Sequence, residues 1–267
     1  MRRPHPVTPS WSVKINPYMR RTLLLLVVFF AFQVAIGSLG VVAGIPNLWV
    51  LLLTNVLLLV FMLLWCRFLP RQLQGEWNRP VRSTIWIAVV ATFLILLCEV
   101  NVLLELLNIP DWLPQETMEQ WYSDPLFIIT AVLIAPIAEE LVFRKGMIDA
   151  LQHSRYARVR GLAVLISALL FGAIHLNPIQ SLGAFAFGLF FGWVYVRTRS
   201  LLLPILCHIL NNGLTVATAN IWGADASITD VVESHYKVWV LVIMGAAVLL
   251  VALVKLADLF AQLRRAE

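Results

Sequence analysis

The run Ala135-Pro136-Ile137-Ala138-Glu139-Glu140-Leu141-Val142-Phe143-Arg144 sets two adjacent carboxylates and a guanidinium inside an otherwise apolar stretch. Ionisable groups in such surroundings cost several kcal/mol unless paired or wetted, so they mark a functional site by default. Read as helix, successive residues turn by about 100°, and the two carboxylates cannot share one direction. Glu140 and Arg144 are four apart and can pair on one face. Glu139 then points elsewhere and can hold a water. A neighbouring carboxylate and partial burial both favour a glutamate that takes up a proton, which suits a general base. Pro136 removes one backbone hydrogen bond just before the pair and can open the helix there.

Two further polar clusters interrupt apolar helices downstream. Phe171 and His175 share a face at i, i+4, and His208 and Asn212 repeat the spacing, with Asn211 beside them. Neutral donors on one helix face suit a developing oxyanion. Each cluster taken singly also fits interhelical hydrogen bonding, and the Glu140–Arg144 pair fits a buried ion pair that only locks helices together. No H-E-x-x-H zinc signature is present. Glu139, His175 and His208 would still suffice to ligate one divalent metal ion such as zinc. As a set, the clusters supply a base, a second polar partner and donors that converge on one water-filled site.

These residues must be positioned by membrane helices. Of 267 residues 60% are hydrophobic and 13% charged, against roughly 45–50% and about 25% in soluble domains. The fold class is all-α and polytopic. Apolar runs place spans at 22–42, 48–68 and 84–107, a fourth that starts near 125 and continues as helix past the membrane toward 153, and further spans at 161–176, 178–196, 201–222 and 237–260. Residues 1–21 form a basic tail, 22–124 accessory spans with an aromatic, acidic interfacial segment at 108–124, 125–222 the motif-bearing core, and 223–267 the last span and tail. Lys and Arg concentrate in 1–21, 67–83, 144–160, 197–199 and the tail, while the intervening loops carry carboxylates such as Asp111, Glu116, Asp225 and Asp230. That asymmetry gives eight spans with both termini inside. The net charge of +5 reflects this bias and not nucleic-acid binding. Cys66, Cys98 and Cys207 lie in apolar segments without metal-like spacing and read as free buried thiols. Glu99, Asn101 and Glu105 read as structural pairing, Gly40-x-x-x-Gly44 and Gly188-x-x-x-Gly192 as packing faces, and Trp193 and Tyr195 as interface anchors. On simple span counting His175 falls near the outer end of its helix, shallower than Glu139 and His208, unless that helix is short, tilted or deeply set.

Three functional classes follow from such a set: a hydrolase, a non-enzymatic immunity or scaffold protein whose polar cluster binds a partner, and a proton-coupled transporter. The last ranks lowest, since no inverted repeat is visible.

The ordered set Glu139-Glu140-x-x-x-Arg144, Phe171-x-x-x-His175 and His208-x-x-x-Asn212 resembles the CPBP (Abi) family of intramembrane proteases, which includes the CAAX prenyl protease type 2 and lysostaphin-resistance-protein-A-like proteins. The resemblance covers about 125–222. It implies an eight-helix endopeptidase in which Glu139 activates water with help from His175, His208 and Asn212 hold the oxyanion, and Glu140 and Arg144 support the site. The family is often labelled metalloprotease. Lacking a compact ligand motif, this chain favours the metal-free version. Lys145 departs from the family pattern, which usually has an apolar or small residue after the arginine. The implied partner is a membrane-associated protein or peptide substrate in the lipid bilayer, and the implied location a cell membrane, specifically a bacterial inner membrane.

Overall fold

The structure is a computed structural model, and it describes residues 17–67, 79–154, 156–224, 227, 232 and 234–265. Most of the basic tail (1–16), the loop at 68–78, Arg155, and the acidic positions Asp225, Asp230 and Glu233 lie outside the described residues. The rest is helical: α1 (Pro17–Val42), α2 (Asn47–Arg67), α3 (Ser83–Leu106), α4 (Gln115–Ser123), α5 (Pro125–Gln152), a single turn at Ala157–Gly161, α6 (Ala163–Ala173), α7 (Pro178–Thr198), α8 (Leu202–Trp222) and α9 (His235–Arg265). Among the described residues, α2, α3, α5, α7, α8 and most of α9 are long and apolar enough to cross a membrane, and Val27–Gly40 and Ala163–Ala173 are shorter apolar helices. The protein is a multi-pass, all-helical membrane protein.

Helix ends follow local chemistry. Asp124 caps α5, its carboxylate accepting from the N–H groups of Leu126 (2.7 Å) and Phe127 (3.3 Å), with Pro125 in the first turn. Gly44 turns the chain between α1 and α2 at φ +65°, and a Cβ on Gly40 would collide with Val50, so the small residues there set a close helix approach. Gly188 and Gly192 do the same between α7 and α6, lying against Ala168 and Val164.

Two apolar clusters form the interior. One surrounds α5, with Met62 of α2, Phe143 and Met147 of α5, Phe171 of α6 and Tyr195 of α7. The other joins α3, α7, α8 and α9 through Phe93, Phe187, Phe191, Cys207 and Phe260. The helix carrying the acidic pair is thus walled in by neighbours.

Three sequence expectations need correction. The segment expected to span at 161–176 is helical only over the 11 residues Ala163–Ala173, a rise of about 16 Å against the ~30 Å of a hydrocarbon core. Tyr195 is fully buried and hydrogen-bonded to Asp149, so it is no interface anchor. Of the three free thiols, Cys207 is buried, Cys66 half-buried and Cys98 exposed. Asn101 bonds back to Leu97 of its own helix, Glu105 accepts from Ser227, and Glu99 lies where α9 approaches at Gly245.

Candidate active site

The site grows out of an irregular helix. Within α5, Thr130–Ile134 and Leu141–Ile148 are π-helical, flanking the α-helical Ala135–Glu140. Ala135 sends its N–H to the Thr130 carbonyl, five residues back. The Ala131 carbonyl therefore loses the partner that α-helical spacing would give it. At π spacing its next partner would be residue 136, which is proline and has no N–H. Asn212 of α8 supplies the missing donor: its Nδ2 reaches the Ala131 carbonyl at 2.7 Å. In turn Asn211 donates to the Asn212 side-chain oxygen at 2.8 Å. In the second π stretch, the Ser167 hydroxyl of α6 donates to the Phe143 carbonyl at 2.9 Å. Neighbouring helices thus satisfy the backbone of the helix that carries the acidic pair.

The two glutamates occupy different surroundings. Glu140 is wholly buried; its Oε2 pairs with Arg144 Nε at 3.0 Å and its Oε1 lies 3.0 Å from His208 Nδ1. The Glu139 side chain is 19% exposed, and its Oε2 lies 3.7 Å from His208 Nε2. His208 therefore sits between both acids, one ring nitrogen towards each.

Two aromatic rings complete the wall. The Arg144 guanidinium lies over Phe171 at 4.6 Å and Phe191 at 5.4 Å. Its terminal nitrogens are buried with no hydrogen-bond partner among the described residues, so the ring faces are what receives this charge. His208 stacks on Phe191 at 5.5 Å and meets the edge of Phe171 at 5.6 Å.

His175 follows α6 in a turn, and its ring packs on Phe171 at 5.2 Å. Phe171 therefore touches both His175 and His208. With α6 only 11 residues long, His175 lies one ring away from His208 and not at the far end of a full span. His175 Nδ1 bonds the Phe171 carbonyl at 2.8 Å, leaving Nε2 for another partner. In sum, Glu139, Glu140, Arg144 and His208 meet directly, His175 joins through Phe171, and Asn212 joins through the α5 backbone. Sequence reading missed Phe191 and Ser167, whose only signal is position on the face of a neighbouring helix.

Among the described residues no three His, Cys, Asp or Glu side chains gather as a metal site. His208 Nδ1 faces Glu140 and His175 Nδ1 bonds a backbone carbonyl, so Nε2 is the nitrogen each ring has left for a further ligand, and His175 reaches the centre only through Phe171.

This is a multi-pass membrane protein with a buried carboxylate–imidazole–guanidinium centre. Over residues 121–214, which hold every residue of that centre, the chain matches the family model of Type II CAAX prenyl endopeptidase Rce1-like. This is the family that the three motifs resemble. The chain is 35% identical over 92 residues to the "Putative membrane peptidase YdiL" of Bacillus subtilis, a stretch covering 34% of this chain and 36% of that protein. It is 34% identical over 97 residues to the "Membrane-embedded CAAX protease MroQ" of Staphylococcus aureus, covering 34% and 38%. An uncharacterised 24.3 kDa protein of Escherichia coli is 36% identical over 87 residues, covering 32% and 40%. The chain thus spans less than half the length of each of these curated relatives. No solved structure matches it.

Proposed function

We propose that the chain is an intramembrane endopeptidase that hydrolyses a peptide bond of a membrane-associated protein or peptide with a water activated by Glu139. The observation that carries this reading is the division of labour between the acids. Glu140 is sealed off by Arg144 and His208, while Glu139 keeps partial access and faces the second nitrogen of the same imidazole. A water touching both Glu139 Oε2 and His208 Nε2 would be oriented by two groups that are themselves held. Glu139 takes a proton from it as the oxygen attacks the scissile carbonyl. The second N–H of Asn212, joined by His208 Nε2 when that ring carries both protons, faces the resulting oxyanion, and His175 assists from the far side of Phe171. Collapse breaks the C–N bond, and the proton passes from Glu139 to the leaving amine. No step is routed through a metal.

The membrane arrangement belongs to the same proposal: eight crossings with both termini inside a bacterial inner membrane, one of them completed by α6 together with the non-helical residues beside it, packed against α5 and α7. The basic stretches support it.

The test compares Glu139→Gln with wild type in proteoliposomes, using a quenched fluorescent peptide that wild type cleaves, selected from a lipid-anchored peptide library. The variant is expected to keep its melting temperature and lose cleavage by at least about a thousandfold. Cleavage at the wild-type rate would remove Glu139 from the base role. Failure of wild type on every library member, with biological function intact in Glu139→Gln, would favour a binding protein.

A further inference from the structure

One turn beyond Arg144, α5 buries a second charged cluster that the proposed chemistry does not use. Asp149 is its hub: Lys145 Nζ approaches Oδ2 at 2.8 Å, the Tyr195 hydroxyl lies 3.1 Å from both carboxylate oxygens, and Arg199 Nη1 is 3.1 Å from Oδ1. The same Arg199 nitrogen reaches Gln152 Oε1 at 3.2 Å. Lys145, Asp149 and Tyr195 are buried, and the Arg199 side chain is 31% exposed. Burying such a set costs several kcal/mol per ion, and its best-attested use is to specify register.

Its place in the fold says which register. Arg199 stands between α7 and α8 at φ +53°, and its carbonyl accepts the Arg79 N–H at 3.3 Å. Asp149 lies nine residues beyond Glu140 on α5, and His208, in the second turn of α8, lies nine residues beyond Arg199. Two legs of nine residues, one through the π-helical Leu141–Ile148 and one through the α7–α8 turn into α8, join two cross-links: Asp149–Arg199 at one end and Glu140–His208 at the other. A slip of one residue along either leg moves a side chain by ~1.5 Å, enough to carry a 3.0 Å contact beyond hydrogen-bond range.

We infer that the Asp149–Arg199 cross-link, braced by Lys145 and Tyr195, sets the axial register of α5 against α8 and so holds His208 on Glu140. Arg199 and Tyr195 are positioning residues that touch neither water nor substrate. The functional consequence rests on the proposed protease reading, but the structural one does not.

The experiment uses the full chain in micelles with ¹⁵N-labelled histidine and follows the ring nitrogens of His208, assigned with His208→Gln. Arg199→Gln and Tyr195→Phe avoid the folding risk of leaving Lys145 buried beside a neutralised Asp149. Arg199→Gln is expected to move the His208 Nδ1 signal off its hydrogen-bonded position, and Arg199→Lys to restore it. Leu97→Ala, a buried packing loss on α3, lowers the melting temperature and leaves that signal in place. Turnover of the library peptide falls about a hundredfold in Arg199→Gln at unchanged KM. A His208 signal unmoved in both Arg199→Gln and Tyr195→Phe, with only the melting temperature lowered, overturns the inference. A signal that moves in a protein whose wild type cleaves nothing leaves the Asp149–Arg199 register cross-link standing and removes the protease reading.

Discussion

The Asn212–Ala131 contact has a consequence that separates backbone capping from generic helix glue. Asn212→Ala strands a half-buried carbonyl, because π spacing and Pro136 have removed both backbone donors that could serve it. An unsatisfied buried acceptor costs about 1–3 kcal/mol, and interhelical hydrogen bonds in membranes measure ~0.6–2 kcal/mol. We expect a loss near 1.5 kcal/mol, about tenfold in the unfolding equilibrium. Pro136→Ala restores an N–H five residues beyond Ala131, where a π-helical bond closes. In that background Asn212→Ala should cost only about 0.5 kcal/mol, for a coupling energy near 1 kcal/mol. Equilibrium unfolding of the four proteins in mixed dodecylmaltoside–SDS micelles measures the cycle. Equal Asn212→Ala costs in both backgrounds, within ~0.3 kcal/mol, would refute the account of why proline stands at position 136.

Other consequences are simpler to read. A Cβ on Gly172 would sit 2.6 Å from the Ser181 carbonyl oxygen and 3.0 Å from Phe185 Cβ. Neither can swing away, so Gly172→Ala should cost about 1–3 kcal/mol and shift the His175 turn, seen as a lowered melting temperature. Phe191→Leu removes a ring from both Arg144 and His208, whereas Phe187→Leu removes a buried ring that packs on Phe93. Cleavage should fall at least about tenfold more in the first, since a desolvated cation–π contact is worth ~2 kcal/mol; equal losses would leave Phe191 as ordinary packing. Incubating the purified protein with EDTA or phenanthroline should leave the proposed cleavage unchanged, and loss restored by added zinc would reverse the metal-free reading.

The chemistry-bearing residues were legible because lipid makes them expensive. Glu139, Glu140 and Arg144 stand out in an apolar run whatever their partners, and the 100° helical turn already separates Glu139 from the Glu140–Arg144 pair. Helix positions were legible for the same reason, since long apolar runs have few alternatives in a bilayer. Depth was not. Counting residues assumes that each apolar run crosses from face to face, and α6 stops after 11 residues. Tyr195 was misjudged because an aromatic near a helix end reads as an interface anchor, and only the fold shows Asp149 waiting for its hydroxyl.

What pattern reading could not reach is how the acidic helix tolerates its own irregularity. A π stretch is invisible to hydropathy, since it changes hydrogen-bond spacing and not composition. Yet the irregularity explains residues that motif spacing leaves unexplained. Ser167 stands in α6 where its hydroxyl reaches the Phe143 carbonyl of the second π stretch, and Asn212 stands in α8 where Pro136 cannot supply a donor. His208 and Asn212, four apart on one face of α8, therefore serve the same helix in two ways, one holding its carboxylate and the other its backbone. The i, i+4 spacing follows from that double attachment: to shift either residue by one position would turn it about 100° away from α5. A replacement of His208 or Asn212 elsewhere on α8 should accordingly fail to rescue its loss, even when the residue type is kept.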